Sequence, residues 1–489
     1  MISGPRIPVA IAVVAVVAVA ALAGCSALRH ESTSPPELDV PPGSAASATP
    51  QELARWWTAF GDPVLDRLVG DALAANLDVQ AAIARVDAAR AQVKVAQRDQ
   101  YPTVDIDAGA TRNRTSQATA FVVPGFPAIS NDYKVELHAS YEVDLWGKYR
   151  TATGAARREL LASEFARETV RTVVAADTAR MYFNLLAADA QLSLLEETLK
   201  TRDKSVELQK DRYDAGVIGD YDLGTAQAER DSVAADIEIA RRSVVEFESA
   251  LAVLVGRSPR EVFTPQIGRN VAMAWGTAVP QIPSGLPSDL LARRPDIRQA
   301  EAQLAAASMR IDVARADYFP AVSLTGALGT EAAALRNLFS GPAAIWSIGA
   351  ALVQPLVGLK AVEANVEAKT AARNEQIAAY TKVVQGAFHD AHDALSANQT
   401  TRAALAAQSQ RKDKLAVVVE MSDMRYRSGY SPYLEVLDAQ RQLLAAETQQ
   451  IMAARNVRLA VVDIAKALGG GWDSGQAPEL SRASAAASR

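Results

Sequence analysis

The clearest periodic signal in the chain runs from Tyr133 to Leu145. Tyr133, Val135, Leu137, Ala139, Tyr141, Val143 and Leu145 alternate with Lys134, Glu136, His138, Ser140, Glu142 and Asp144. Alternation with a period of two puts one set on each side of an extended strand, so this stretch predicts a strand with one apolar and one polar face. A second alternation begins just past Pro102, where Val104, Ile106, Ala108 and Ala110 interleave with Thr103, Asp105, Asp107 and Gly109. The pattern returns more faintly in the second half of the chain. There Val322 and Leu324 alternate with Ser323 and Thr325, and a strand is expected from about Ile345 to Val353. The predicted strands therefore cover about 103–115, 132–146, 321–330 and 345–355.

Between the strand pairs the period lengthens. Leu185, Leu192, Leu195 and Leu199 recur at three-, four- and seven-residue spacing, the stripe of a helix packed on another helix. Proline placement points the same way. No Pro lies between Ala128 and Ser258, and only Pro432 lies between Leu356 and Ala477. Proline costs about 3 kcal/mol in a helix interior, so such gaps mark long helices. Ala155–Ala215 also lacks Gly, and sixty helical residues extend roughly 90 Å. Charges recur along these segments (Arg157, Glu164, Arg171, Asp177, Arg180), so they do not cross lipid.

The chain repeats itself. A shift of 218 residues places Asp78 on Asp296, Ala82 on Ala300, Asp99 on Asp317 and Pro102 on Pro320. A shift of 213 places Arg212-Tyr213 on Arg425-Tyr426, Gly216 on Gly429 and Gly256 on Gly469. Agreement in the punctuation of an Ala-rich sequence identifies an internal duplication. Each half then holds two strands and a helical hairpin, and Gly216 and Gly429 mark the hairpin turns.

Strands of roughly ten residues with one apolar face suit a membrane barrel. Four strands cannot close one, and an open edge would leave backbone polar groups unpaired in hydrocarbon. The chain must therefore oligomerise. Two copies would give eight strands, whose interior fills with side chains, whereas three copies give twelve and leave a path. A trimer is the expectation for a conducting object.

The N-terminus carries an address. Arg6 precedes an apolar run from Val9 to Leu22, too short to span a bilayer as a helix but of the length of a secretory signal. Cys25, the only Cys among 489 residues, follows Leu22-Ala23-Gly24. This segment resembles the lipobox of bacterial lipoproteins, which implies cleavage at 1–24 and a covalent lipid on Cys25. Ser26 at the next position implies delivery to the outer membrane. A Ser/Pro/Ala tether follows over 25–50.

Composition narrows the chemistry. One Cys excludes a disulfide framework and a Cys-based zinc site. A net charge of -5 gives no reason to expect nucleic acid. His389 and His392 share a helix face, but a solvated polar stripe accounts for them without a metal. Gly469-Gly470-Gly471 ends a helix, so it is not a phosphate cradle, and no nucleophile–His pair stands out. No enzyme and no cofactor beyond the lipid is expected, so any energy source must belong to a partner.

Over nearly its whole length the chain resembles the TolC-like outer-membrane efflux proteins, in particular the lipid-anchored OprM- and NodT-like branch. The resemblance rests on an ordered set: Phe60-Gly61-Asp62-Pro63 leading to Asn76-Leu77-Asp78, Tyr141 to Lys148, Leu286 to Leu291 running into Arg293-Arg294-Pro295-Asp296-Ile297, and the paired Arg-Tyr-x-x-Gly turns. It implies a mainly α protein with a membrane β-barrel, four strands per chain giving twelve in a homotrimer, above a coiled-coil periplasmic tunnel. It also implies a periplasmic adaptor, an inner-membrane transporter of the resistance-nodulation-division type, and contact with outer-membrane lipid. The first repeat occupies 51–287, with a hairpin at about 148–256 and an equatorial segment at 257–287. The second occupies 288–470, with a hairpin at about 357–468, and a tail follows at 471–489.

By the same resemblance the hairpin turns lie at a periplasmic gate. Asp222 and Glu435 each follow a turn glycine by six residues, and Asp438 lies one helical turn beyond Glu435. They match acidic residues of the closed entrance, and Tyr426 matches a gate tyrosine, with Arg212 or Arg425 as pairing partners. Three-fold symmetry would turn each carboxylate into a ring that attracts cations. Placement early in a helix also favours an acid through the helix dipole alone. Three functions remain open: small-molecule efflux, a duct for type I protein secretion, and a non-conducting structural lipoprotein. Strand alternation argues against the third.

Overall fold

The computed structural model describes residues 36, 54–116, 118, 127–270, 279–280, 293–354 and 357–471. The signal segment, Cys25, most of the tether, the Leu286–Leu291 motif, Pro355 and nearly all of the tail lie outside them. Two compact units divide the chain, one holding 87–162 and 300–380, the other 37–86, 163–299 and 381–489. In chain order the elements are α1 (Pro63–Ala75), α2 (Leu77–Arg98), β1 (Thr103–Arg114), β2 (Ile129–Glu142), α3 (Lys148–Asp214), α4 (Asp220–Leu254), the short α5 (Pro259–Phe263), α6 (Pro295–Ala316), β3 (Ala321–Ala332), β4 (Ala344–Val353), α7 (Leu359–Arg427) and α8 (Tyr433–Ala467).

The first unit is built on one antiparallel sheet of order β1-β2-β3-β4. Its register is unbroken, so residues opposite one another share a face. One row reads Ile106, Leu137, Leu328, Trp346, and the next reads Val104, Ala139, Gly326, Ile348. The opposite face carries the row Asp105, His138, Ala327, Ser347 and the row Thr103, Ser140, Thr325, Gly349. The apolar face is bare in a single chain: Ile106 is 71% exposed, Trp346 74% and Ile348 83%. Among the described residues neither edge, β1 or β4, has a neighbouring strand beyond the sheet.

β2 ends at Glu142, earlier than the alternation through Leu145 suggests. Asp144 accounts for the difference. Its carboxylate accepts from the backbone amides of Tyr149 (3.2 Å) and Arg150 (2.9 Å) at the start of α3. A side chain that satisfies orphan amides of a helix N-terminus cannot also stay on a strand face. Trp146 fixes the same corner by stacking on Phe319 at 4.8 Å and donating from Nε1 to the Pro320 carbonyl at 2.7 Å. Val357-Gly358-Leu359 enters α7 through Gly358 at φ 117, a conformation only Gly adopts readily.

The second unit is helical, and its largest core gathers Trp56, Trp57, Phe60, Leu65, Val69, Tyr182, Phe183 and Leu251. The Phe60-Gly61-Asp62-Pro63 motif has a local physical basis. Phe60 packs 4.9 Å from Phe183, Gly61 takes the left-handed conformation, and Pro63 opens α1. Asp62 caps α1 by accepting from Val64 N (2.9 Å) while also accepting from the Tyr182 hydroxyl (2.7 Å). Burial and the adjacent carboxylate raise the Tyr182 phenol well above its ordinary pKa. Asn76 repeats the device for α2, accepting from Asp78 N (2.9 Å) and donating to the Leu254 carbonyl (2.9 Å). Arg294 forks onto Asp296 (2.7 Å) and Asp390 (3.2 Å), joining the start of α6 to α7.

Because Asp62 serves a cap and a buried hydroxyl together, Asp62→Ala should destabilise the helical unit by about 2–4 kcal/mol, and Tyr182→Phe by less. Thermal unfolding of both variants beside the wild type checks the order.

Candidate functional site

The duplication is visible in the hydrogen bonds that end the helices. After α3, Gly216 sits at φ 70, and Val217 N donates to the Arg212 carbonyl at 2.8 Å. After α7, Gly429 sits at φ 75, and Tyr430 N donates to the Arg425 carbonyl at 2.9 Å. Gly256 and Gly469 end α4 and α8 in the same way, at φ 70 and 74. All four are left-handed C-terminal caps of the kind glycine alone adopts without strain.

On this shared backbone the side chains of the two hairpin ends diverge. Tyr426 is buried, whereas Tyr213, its counterpart in the repeat, is 39% exposed. The Arg212 guanidinium lies over the Tyr426 ring, 4.9 Å from its centroid, and donates from Nη1 to the Tyr426 hydroxyl. Gln209, fully buried, donates from Nε2 to the same hydroxyl at 2.9 Å. The Tyr426 and Tyr433 rings meet at 5.6 Å, within a small core that includes Ala226, Val436 and Leu437. Tyr426 thus ties α7 to α3 through a cation, an amide and an aromatic neighbour.

The acidic residues sit apart from this knot. Glu435 faces Arg425 at 3.6 Å, and both are exposed. Asp438 accepts from Gln442 at 2.6 Å along its own helix. Asp222 has no hydrogen-bond or ion-pair partner among the described residues and is half-buried. Of the two arginines expected as pairing partners of this set, Arg425 faces the Glu435 carboxylate and Arg212 engages the Tyr426 phenol. That choice follows from burial: a guanidinium half-shielded by an aromatic face gains from the ring as well as from the hydroxyl.

Further linkages were not anticipated from the sequence. Arg202 on α3 is buried and donates to Gln440 on α8. Its burial lowers its pKa, and its Nε finds no acceptor among the described residues. Arg441 on α8 pairs with Glu229 on α4, and that bond holds the Glu229 carboxyl below its ordinary value. A signal for these residues exists. Arg202 and Gln209 are seven apart, as are Tyr433 and Gln440, which is the spacing of one helical seam.

Among the described residues no helix is long and apolar enough to cross a membrane, and no three His, Cys, Asp or Glu side chains converge as for a metal. His389 and His392 lie near Asp393 at 3.5 and 3.4 Å, both exposed.

Comparison with known proteins places this architecture. The family model described as outer membrane efflux protein matches the chain twice, over residues 68–257 and 286–470. The chain belongs to the outer membrane efflux protein family. The starts of the two matched stretches, 68 and 286, lie 218 residues apart, and their ends, 257 and 470, lie 213 apart, the two shifts of the internal repeat. The chain is 31% identical to the solvent efflux pump outer membrane protein SrpC of Pseudomonas putida over 463 residues, covering 93% of this chain and 97% of that protein. It is 29% identical to the probable outer membrane lipoprotein SilC of Salmonella typhimurium, covering 92% and 96%. Among solved structures, the outer-membrane channel OprN matches with a TM-score of 0.80 and 29% identity, covering 91% of this chain and 98% of that one. The CmeC outer membrane channel of Campylobacter jejuni matches with a TM-score of 0.83 and 26% identity, covering 93% and 98%. The protein is an outer-membrane efflux component, and its family consists of transport ducts rather than enzymes.

Tyr426→Phe leaves Gln209 and Arg212 without their common acceptor in a buried setting, a loss of about 1–3 kcal/mol. Amide hydrogen exchange should quicken at both hairpin ends in this variant and stay unchanged in β2.

Proposed function

We propose that three copies of this chain form one continuous outer-membrane duct that exports small organic molecules, shut at its periplasmic end by the hairpin tips. The observation that carries the reading is the four-stranded sheet with an exposed apolar face and two unpaired edges. In bilayer such edges must be closed, and β4 of one copy next to β1 of another continues the antiparallel order. The acidic and polar rows of the opposite face then line the lumen.

The gate in this reading has two layers. Tyr426, held by Arg212 and Gln209, keeps α7 against α3 inside each protomer. Asp222, Glu435 and Asp438, with Arg425 at the rim, supply carboxylates that three-fold symmetry multiplies into rings. Opening draws the hairpins apart when a periplasmic adaptor docks, and the energy comes from an inner-membrane transporter of the resistance-nodulation-division type. Support for small-molecule cargo comes from relatives whose names refer to solvent, toluene and antibiotic efflux. Cys25 carries the lipid that holds the chain to the membrane, a reading supported by the segment before it and by a relative named as a lipoprotein.

Two measurements test this. In planar bilayers the wild type should conduct weakly with a preference for cations. Tyr426→Phe combined with Arg212→Ala should raise conductance several-fold, and Asp222→Ala with Glu435→Ala should abolish the cation preference. Absence of conductance in every form would sink the duct, and unchanged selectivity would sink the carboxylate rings. Separately, Cys25→Ser should lose incorporation of labelled palmitate and keep its signal segment, shown by slower migration on a gel.

A further inference from the structure

Two arginines stand on the wrong side of the sheet for a lumen. The register of β1 against β2 runs without a bulge from Thr103 to Arg114, so Arg112 and Arg114 share the face of Val104 and Ile106. That is the apolar face, directed at lipid in the reading above, on which this inference rests. Both arginines are exposed, and neither has an ion pair or hydrogen bond through its side chain among the described residues.

Their level is set by the chain. β1 follows α2, β2 leads into α3, β3 follows α6 and β4 leads into α7, so all helical connections leave from one end of the sheet. β1 ends at Arg114, β2 begins at Ile129, β3 ends at Ala332 and β4 begins at Ala344 at the other end, so Arg112 and Arg114 lie there. With the helices on the periplasmic side, this end faces outward. One pair inward, Tyr133 lies opposite Ala110 on the same face. A tyrosine with its ring toward lipid and its hydroxyl toward water marks the boundary of the apolar band. The arginines therefore lie at headgroup depth, where a lipid-facing cation is tolerated.

Among the described residues no acid neutralises the charge at this rim. Residues 115–128 contain no Asp or Glu, and neither do residues 333–343, which instead add Arg336. The nearest acids at this level, Asp132 and Glu331, stand opposite Thr111 and Lys134, on the polar face. Arg112 and Arg114 are two residues apart on a strand, roughly 7 Å between Cα atoms. That spacing lets both guanidiniums reach oxygens of one phosphate, and the guanidinium fork matches phosphate better than an ammonium does.

We propose that Arg112 and Arg114 form a binding site for the phosphate headgroup of an outer-leaflet lipid, with the acyl chains lying along Val104, Ile106 and the neighbouring apolar row. The lipid supplies the anion that the protein omits and covers sheet surface that is otherwise bare.

The test uses the full-length wild type and the Arg112→Gln/Arg114→Gln variant in nanodiscs holding either lipid A with its phosphates or lipid A stripped of them. Native mass spectrometry of the released trimer counts the lipids retained. The wild type should keep phosphorylated lipid A about tenfold better than the variant, and stripped lipid A should be lost from both. Arg112→Lys/Arg114→Lys should fall between, which separates charge from misfolding. Equal retention by wild type and Gln variant overturns the site. Displacement of the lipid by millimolar inorganic phosphate overturns the lipid assignment, because the pair would then be a free-anion site. Bilayer conductance of the same preparations keeps the two readings apart: channels with equal lipid retention defeat this site alone, and no channels in the wild type defeats the duct.

Discussion

An antiparallel sheet with an apolar face and two open edges is unstable both in water and alone in lipid. In water the apolar rows of Ile106, Leu137, Leu328 and Trp346 stay exposed. In hydrocarbon the edge amides and carbonyls of β1 and β4 would each forfeit several kcal/mol of hydrogen bonding. Both problems vanish when copies join edge to edge, because closure pairs the backbone and turns every apolar row outward. The sequence serves that outcome through an unbroken register, since a slip of one residue would send Asp105, Glu136 and His138 into lipid. Gly329 belongs to the same requirement: a Cβ there would come within 2.2 Å of the Val135 carbonyl, so β3 could not lie so close to β2.

Duplication explains the economy of the helical caps and also shows where it stops. The same glycine cap closes all four long helices, with matching φ values and matching hydrogen bonds. Backbone geometry was kept in both copies because it depends on one residue type. Side-chain roles were free to part. Tyr213 and Tyr426 occupy equivalent positions, yet the first is exposed beside Asp220 while the second is buried under Arg212. The arginines preceding them also differ, Arg212 engaging a ring and Arg425 an exposed carboxylate. Repeat symmetry in the chain therefore yields an asymmetric pair of hairpin ends, the second supplying the buried tyrosine and the first the arginine and amide that hold it.

Much of this was legible because the governing physics is local. Alternation shows a strand, Pro and Gly show where helices stop, and the shifts of 218 and 213 show the repeat. Where the sequence reading went astray, a residue had a second task. Asp144 continues the polar series of β2 but is drawn off to cap α3, and the strand ends two residues before it. β3 and β4 were faint because Gly and Ala occupy positions where larger residues would have marked the faces. The contact between Arg212 and Tyr426 spans 214 residues of chain, and the sequence, which leaves open whether Arg212 or Arg425 pairs at the gate, does not say which of them meets the phenol. The acids Asp222, Glu435 and Asp438 were visible as charges early in helices, but their separation from that buried tie depends on tertiary packing alone.

The buried tie also bears on how the proposed gate would be opened. Separating α7 from α3 in one protomer exposes an arginine, an amide and a phenol that now satisfy one another. Hydrogen bonds to a charged group contribute about 1.5–3 kcal/mol each, so in the proposed gate three copies would resist opening by roughly 5–9 kcal/mol. Resistance of that size would keep the spontaneously open fraction at about one in several thousand or fewer. A partner shifts the balance only through its preference for the open form, whatever its total affinity. An adaptor that contacted the hairpins equally in both forms would bind and leave the duct shut. In the proposed gate the opening partner would have to contact surface that changes when Tyr426 leaves Arg212, which points to the ends of α3 and α7 rather than to the sheet.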